Sequence, residues 1–566
     1  MFLAGGVKVE CYKKTFIILS MGFNPRLSGG NKMGAIRRDM EQLFETLKEI
    51  EFKEHLSKII QYDMETAAPK GGMEDDARDI ANLQSEIFRL KKDPDFMHAI
   101  RKLYKIDYKT LDTWSKRLVL LLERDIEKQK GISPKLNKEA NELFNQAYID
   151  WLKAKEDKSY DEFKDTLAKI ADMEKKLVEA RNQEADINLY DVRISDYEPG
   201  FTSKDLDVFF DELEAGIVPL YKAIRKAKYQ PKHKFINKPV PISKQEEFTK
   251  FLLEFNGFDF NRGSVSTTEH PFTEQFGQND VRVTTKYFET NFISNMYSII
   301  HEGGHAIFGQ NIPDEVFSYH IGEGCLSMAK HESVSRFYEN TIGRSKEYIH
   351  AIYPTFHKIF EKEFKNVTED DLYEGVNWID LKNTLRTEAD ELTYCLHIII
   401  RYRLEKEMMN GTVDFETLNQ RWNAMYQDFF GVDVPDDAKG ILQDVHWTSG
   451  FGYFPTYAMG NAMNIMYVKK MDEDIGFAKT VKAGKMDKIL DWMKENVFAK
   501  APLLDTKEWI KDITGEEFSA TAYVEYLTNK FMKLYHLTKA DIKAANRVSK
   551  KPTKKTVKKT TKKESK

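Results

Sequence analysis

A mainly α-helical fold with one small β element is predicted by three features of the chain. Apolar residues recur at i, i+3, i+4 over long segments whose other faces are charged, the pattern of helices packed on a core. Proline is scarce, 16 in 566 residues, and several prolines fall between those segments: Pro69, Pro199, Pro231, Pro239 and Pro241. One stretch, 262–288, breaks the helical period. There Gly, Ser and Thr collect, and Val281, Val283 and Thr285 alternate with Arg282, Thr284 and Lys286, a period of two that reads as a short strand pair.

In chain order, helices are expected over 37–62, 77–90, 111–130, 138–155, 161–188 and 205–228, then the strand pair. After it, Ile293, Met296, Ile300 and Ile307 give a core-facing helical stripe. A further helix-like segment runs over 323–340, and 378–409 is strongly helical. A Gly- and aromatic-rich segment, 440–460, interrupts the helices. No repeat of fixed period occurs, and no linker long enough to separate domains lies between residues 34 and 537. A single helical domain is therefore expected over 34–537, between an N-terminal extension (1–33) and a C-terminal segment (538–566).

Composition excludes several classes of protein. Hydrophobic residues make up 41% and charged residues 31%, as in an ordinary globular enzyme. The apolar stretch 15–23 falls far short of the roughly 18 residues that a transmembrane helix needs. Lys13 and Lys14 precede it, but it contains Ser20, lacks a small-x-small cleavage site and runs into Asn24-Pro25-Arg26, so a cytoplasmic protein is expected rather than a secreted one. Three cysteines (Cys11, Cys325, Cys395) without a CxxC fit a reducing compartment, and plain burial accounts for Cys325 and Cys395. Residues 550–566 hold nine lysines and one glutamate, a net of +8, which leaves −12 for the rest of a chain totalling −4. Such a tail buries no core and is expected to be solvated. It could meet nucleic acid or an anionic membrane, but no aromatic is interleaved for base stacking, so neither partner is expected.

His301-Glu302-Gly303-Gly304-His305 matches H-E-x-x-H inside the predicted helix. Residues i and i+4 share a helix face, so His301 and His305 can reach one Zn²⁺ while Glu302 stands beside it, where an activated water would sit. Each Gly costs a helix interior about 1 kcal/mol, so two between the ligands suggest a close approach to the backbone. A two-His site needs a third ligand and an open position. Glu332, 27 positions after His305 in His331-Glu332-Ser333, can complete a His₂Glu set from a neighbouring helix; alternatively it pairs with Arg336 at i+4.

Around this motif lie His270-Pro271-Phe272, Asp280-Val281-Arg282-Val283-Thr284, Arg386-Thr387-Glu388-Ala389-Asp390 and Gly440-Ile441-Leu442-Gln443-Asp444-Val445-His446-Trp447. With H-E-x-x-H and His331-Glu332-Ser333, they resemble the signatures of the carboxypeptidase Taq family of zinc metallocarboxypeptidases: HPF, DxRxT, HExxH, HES, IRxxAD and GxxQDxHW, in that order. Tyr62-Asp63-Met64-Glu65-Thr66 with Pro69 resembles the family's early WDxxT-like segment. Leu385 stands where the family usually has Ile, and Val334 replaces a polar residue after HES. The resemblance leaves out the first ~33 residues and the lysine tail.

The resemblance implies a helical metallopeptidase split by a deep groove, similar to neurolysin and angiotensin-converting enzyme, and usually a homodimer. It implies His301, His305 and Glu332 as zinc ligands, with Co²⁺ possible in place of Zn²⁺, and Glu302 as the base that activates water. Peptides with a free C-terminus are the expected substrates. A free carboxylate suits a guanidinium fork. Arg386 is the matched candidate and Arg282 the second, unless Arg386 pairs with Asp390 and Arg282 with Asp280. Donors to the developing oxyanion are sought in His446, Tyr453 and Tyr457, although the run from Phe451 to Tyr457 could equally be core. His270 is expected to close one end of the groove beside the metal. The competing readings are a neurolysin-like oligopeptidase or dipeptidyl carboxypeptidase, which the HPF, DxRxT and GxxQDxHW set argues against, and a non-catalytic nucleic-acid-binding protein.

Overall fold

The computed structural model describes residues 30–182 and 187–549. The lysine tail 550–566, Cys11 and most of the extension 1–33 lie outside the described residues. Among the described residues the fold is mainly helical with one three-stranded sheet, and the backbone divides into two compact units.

Among the described residues, the first unit holds 30–61, 69–126 and 315–322. Helices Met73–Lys91 and Pro94–Lys102 pack in it with the long helix Gly30–Thr66, whose last turn passes to the second unit, and with the opening of Thr113–Gln129. Asp93 accepts hydrogen bonds from the amides of Asp95 and Phe96, and Pro94 takes the first helical position, where a missing N–H costs nothing. Leu43, Ile100, Leu103 and Val119 form the core. These helices match the segments expected over 37–62, 77–90 and 111–130.

The second unit holds 62–68, 127–314 and 323–549 among the described residues, and with them all the motifs quoted above except Pro69. Helices Pro134–Asp157 and Ser203–Ile224 stand where helical period predicted them. Of the segment expected over 161–188, residues 183–186 lie outside the described ones; the rest holds a short 3₁₀ turn, Tyr160–Glu162, and the helix Lys164–Arg181. Four further helices build the site: α1 (Phe292–Asn311), α2 (Met328–Arg336), α3 (Tyr394–Met409) and α4 (Pro455–Ile475). α3 is buried almost all round, as a central helix must be. α2 continues into a π turn, Phe337–Ile342.

Two expectations are corrected. The β element has three strands, β1 (Gly263–Thr267), β2 (Thr273–Gly277) and β3 (Asp280–Thr285), in the order β1-β3-β2. β3 pairs parallel with β1 and antiparallel with β2, with Thr273 opposite Val283. Residues 378–393, expected as helix, are irregular, and α3 begins only at Tyr394. Side chains there claim backbone groups that a helix would use. Asp390 accepts from the amides of Leu392 and Thr393, Asn383 from that of Leu385, and Gln443 from that of Arg386.

The paired glycines do mark close backbone contact. A Cβ on Gly304 would lie 2.8 Å from the Cα of Ser335 in α2, and one on Gly303 would lie 2.6 Å from Leu253 Cδ2. Gly460 of α4 does the same from the other side, where a Cβ would come within 2.7 Å of the Cβ of Glu332. Cys325 and Cys395 are buried.

Candidate metal centre and substrate-binding cluster

α1 presents His301 and His305 one turn apart, with ring centroids 4.9 Å apart. α2, pressed against α1 at Gly304, brings Glu332 to them. Glu332 Oε1 lies 3.9 Å from the Nε2 of each histidine. These three ligand atoms fall within 4.8 Å of one another, and no other such group of His, Cys, Asp or Glu occurs among the described residues. Tetrahedral ligands about 2.1 Å from a cation stand roughly 3.4 Å apart, so two imidazoles and a carboxylate at this spacing fit a divalent ion after a small contraction. The donor set is that of a hydrolytic centre with one position left for water.

A ring of partners orients the three. Glu339, carried by the π turn, accepts from His301 Nδ1 at 2.8 Å, which leaves Nε2 as the ligand atom. Arg336 donates to Glu339 at 2.9 Å and to Glu332 Oε2 at 3.3 Å. The i+4 pair weighed against the ligand role is thus present, but on the other carboxylate oxygen. Burial opposes ionisation of Glu339, yet Arg336 and His301 outweigh it and hold its pKa at about 2. For His301 burial likewise opposes protonation, but Glu332 and Glu339 raise its pKa. His305 is pushed well down, by burial first and then by the neighbouring His301 and His331.

Glu302 is on the same helix beside the ligands. Thr273 of β2 donates its hydroxyl to Glu302 Oε2 at 2.7 Å, and burial raises the carboxyl's pKa. A carboxylate whose proton affinity is lifted by burial suits a group that takes and returns a proton.

The substrate candidates divide into two places. Arg386 is nearly buried and pairs with Asp444 rather than with Asp390, its Nε and Nη2 both 2.8 Å from Oδ1. Its Nη1 donates to the Tyr394 hydroxyl at 3.1 Å, and its guanidinium lies 5.2 Å from the Tyr457 ring centre. Asp444 also holds the fully buried Arg401 through Nε at 2.6 Å. Against burial, the two guanidiniums keep Asp444 well below the usual carboxylate range. One carboxylate thus faces two guanidiniums.

His446, Tyr453 and Tyr457 gather beside this pair. His446 Nε2 is 3.3 Å from the Tyr457 hydroxyl, and Tyr453 meets the Tyr457 ring edge-on at 5.2 Å. Burial lowers the His446 pKa to about 4, so its ring is neutral at neutral pH, and raises that of Tyr453 to about 12. The aromatic run is divided in its use: Phe451 and Phe454 are core, while Tyr453 and Tyr457 keep partial exposure. Glu405 of α3 pins the segment by accepting from Trp447 Nε1 and the Gly452 amide, each at 2.9 Å, and from the Tyr190 hydroxyl at 2.8 Å.

Arg282 stands elsewhere. It is clasped by Asp280 through two bonds of 2.8 and 2.7 Å and stacks 4.4 Å from Phe276 and 5.3 Å from Tyr62. The Asp280 pairing considered from the sequence is therefore present. His270 is exposed in the turn between β1 and β2. Sequence reasoning missed Glu339, Thr273, Tyr394 and the pairing role of Asp444. Thr273 and Asp444 adjoin or lie inside quoted motifs, and Glu339 follows Arg336 by three, so nearness to the motifs was the available signal.

Two imidazoles one turn apart, a carboxylate from the next helix and a half-buried glutamate beside them make the equipment of a metal-dependent hydrolase. The chain matches, over residues 42–531, the family described as carboxypeptidase Taq (M32) metallopeptidase, and it belongs to that family. It is 36% identical over 499 residues to carboxypeptidase 1 of Bacillus subtilis (strain 168), covering 88% of this chain and 99% of that one. It is 30% identical over 510 residues to thermostable carboxypeptidase 1 of Thermus thermophilus, covering 88% and 98%. The solved M32 carboxypeptidase from Deinococcus radiodurans R1 superposes with a TM-score of 0.84 at 29% identity, covering 88% of this chain and all of that one. The protein is accordingly a metallocarboxypeptidase, a peptide hydrolase that requires a divalent metal. No helix among the described residues is long and apolar enough to cross a membrane.

Proposed function

We propose that the protein is a zinc carboxypeptidase that releases C-terminal amino acids from peptides, with His301, His305 and Glu332 as the ligands and Glu302 as general base. The observation that carries this reading is the cluster of two Nε2 atoms and Oε1 within 4.8 Å, single of its kind among the described residues, with half-buried Glu302 alongside. A Zn²⁺ bound there supplies a Lewis acid that lowers the pKa of a water and polarises a carbonyl. Glu302 takes the proton of the attacking water and returns it to the leaving amine. Glu339 fixes the ring and tautomer of His301, and Arg336 holds the Glu332 carboxylate in place through Oε2. Co²⁺ suits the same donors.

Arg386 is the group for the substrate's C-terminal carboxylate. With Arg401 it shares one aspartate, so the trio carries one positive charge in excess, which a second carboxylate would balance. Arg282, already clasped by Asp280, is a weaker candidate. Neutral His446 and the hydroxyls of Tyr453 and Tyr457 are offered as donors to the oxyanion, and His270 as a residue at the rim of the cleft. Residues 34–537 act as one peptidase unit, in keeping with the family match over 42–531. A homodimer, a cytoplasmic location and a solvated lysine tail complete the proposal.

Matched peptides ending in a carboxylate or an amide, offered with and without a chelator, test it. Cleavage of the free acid alone, abolished by chelator and restored by Zn²⁺, is expected. Equal cleavage of the amide would make the enzyme an endopeptidase.

A further inference from the structure

Two of the motifs around the metal helix, HPF and DxRxT, have only marginal roles in the mechanism above, yet they meet H-E-x-x-H at one hydrogen bond. Thr273 follows His270-Pro271-Phe272 directly, and its hydroxyl reaches both Glu302 Oε2, at 2.7 Å, and the Glu302 carbonyl, at 2.9 Å. A hydroxyl has one proton to give, and the shorter, charge-assisted bond to the carboxylate takes it. We propose that Thr273 is the positioning residue of the general base: it holds Glu302 Oε2, so that Oε1 is the oxygen that takes the proton from the attacking water. This rests on the reading of Glu302 as the base.

The geometry supports the assignment on both sides of the bond. A glutamate side chain has three rotatable bonds, and without a fixed contact its carboxylate would sample several positions beside the metal. Thr273, by contrast, is anchored. It lies in β2 opposite Val283 of β3, which is wholly buried. The peptide before it is held by Thr284, the last residue of Asp280-Val281-Arg282-Val283-Thr284. Thr284 Oγ1 accepts from the Phe272 amide at 2.8 Å, while the Thr284 amide donates to the Phe272 carbonyl at 2.8 Å. Thr284 Oγ1 also accepts from Thr268 Oγ1 at 2.8 Å and donates to the Phe272 carbonyl at 3.2 Å. Buried Thr268 and Thr284 therefore fix Phe272, Phe272 fixes Thr273, and Thr273 fixes Glu302. The sheet is a mount for the base, and the HPF and DxRxT segments are joined to H-E-x-x-H by that mount. Thr273 touches neither substrate nor metal in this account and acts only through Glu302.

The test compares Thr273→Val, which keeps the shape and loses the hydroxyl, with Thr273→Ser, which keeps the hydroxyl, and Thr273→Ala, should the valine impair folding. In the metal-loaded enzyme, Val and Ala are expected to lower kcat about 10-fold or more with KM within about twofold, and Ser to restore kcat to within about threefold. Metal content, measured by elemental analysis, should be unchanged in all three. A crystal structure of metal-loaded Thr273→Val should show Glu302 in more than one rotamer. In a Glu302→Gln background, Thr273→Val should cost nothing further, because the group it positions no longer accepts a proton. Unchanged kcat in both Val and Ala, a Glu302 rotamer identical to the wild type, or additive losses with Glu302→Gln would overturn the proposal. Glu302→Gln alone separates the two claims. If its turnover is near normal, the general-base reading fails; if it collapses while Thr273→Val is silent, only the role of Thr273 fails.

Discussion

Arg336 donates to Glu332 Oε2 at 3.3 Å while Glu332 Oε1 faces the two histidine nitrogens at 3.9 Å. One carboxylate is shared between the Arg336 guanidinium and the proposed metal site. The arrangement explains how a glutamate with 6% side-chain exposure stays ready to ligate, since a buried carboxylate without a partner would cost several kcal/mol.

Removing one member of the set should therefore empty it. His305→Ala or Glu332→Ala is expected to lose bound metal, read by elemental analysis after dialysis, with peptidase activity lost in parallel. Stoichiometric zinc retained in Glu332→Ala would take that residue out of the ligand set.

Glu339→Gln keeps the volume but weakens the acceptor for His301 Nδ1 and removes the anion beside Arg336. Metal affinity is expected to fall by about 10- to 100-fold, measured by competition with a chromogenic chelator. An unchanged affinity would reduce Glu339 to a packing role.

The carboxylate pocket has its own assay. Arg386→Lys keeps the charge and loses the planar fork, so kcat/KM for free-acid peptides should drop without vanishing. Arg386→Ala should cost roughly 2–4 kcal/mol of transition-state binding for those peptides and leave the slow cleavage of amides nearly unchanged. Equal losses for both substrates would show that the residue serves only to hold Asp444.

Gly304→Ala tests whether helix spacing sets the ligand spacing. The new methyl would meet the Ser335 backbone at 2.8 Å, which cannot swing aside as a side chain could. A loss of about 1–3 kcal/mol in stability is expected, together with weaker zinc binding. Normal affinity in a destabilised variant would separate packing from ligation.

Glu405 supplies a pH test. Burial raises its pKa from the ordinary 4.5 to about 7 in the folded protein, while the Gly452 amide, the Tyr190 hydroxyl and Trp447 Nε1 oppose the rise. An acid with a raised folded pKa adds stability that is complete below its unfolded pKa and is lost as pH rises through the folded one. Between about pH 4.5 and 7 the wild type should therefore lose a few kcal/mol from this group, and Glu405→Gln should not. The difference in Tm, variant minus wild type, should grow from pH 5 to pH 8. Parallel Tm curves would count against it.

Much of this site was legible because its chemistry is local in sequence. His301, Glu302 and His305 lie within five residues, and helical period alone sets their relative directions. The glycines between them announced a close approach that Ser335 and Leu253 supply. What escaped depends on long-range pairing. Asp390, at i+4, was the obvious partner for Arg386, yet its carboxylate caps the turn before α3 and Asp444 takes the guanidinium. That same competition from side chains unmade the helix expected over 378–393. A third strand escaped because only β3 shows clear alternation; β1, Gly-Ser-Val-Ser-Thr, is made a strand by its pairing with β3. Glu339 reaches His301 only because the chain widens into a π turn after α2, a change of pitch that no motif marks.

The glycines at 304 and 460 hold the Glu332 helix at backbone distance on both of its sides. A cage whose width is set in this way cannot be widened by turning a side chain; whole helices would have to part. Ions that need about six to eight oxygen donors, such as Ca²⁺, are disfavoured by the two imidazoles in the set. Small cations that accept nitrogen donors are expected to replace one another in such a frame with little rearrangement, the metal exchanged while the shape of the site is kept.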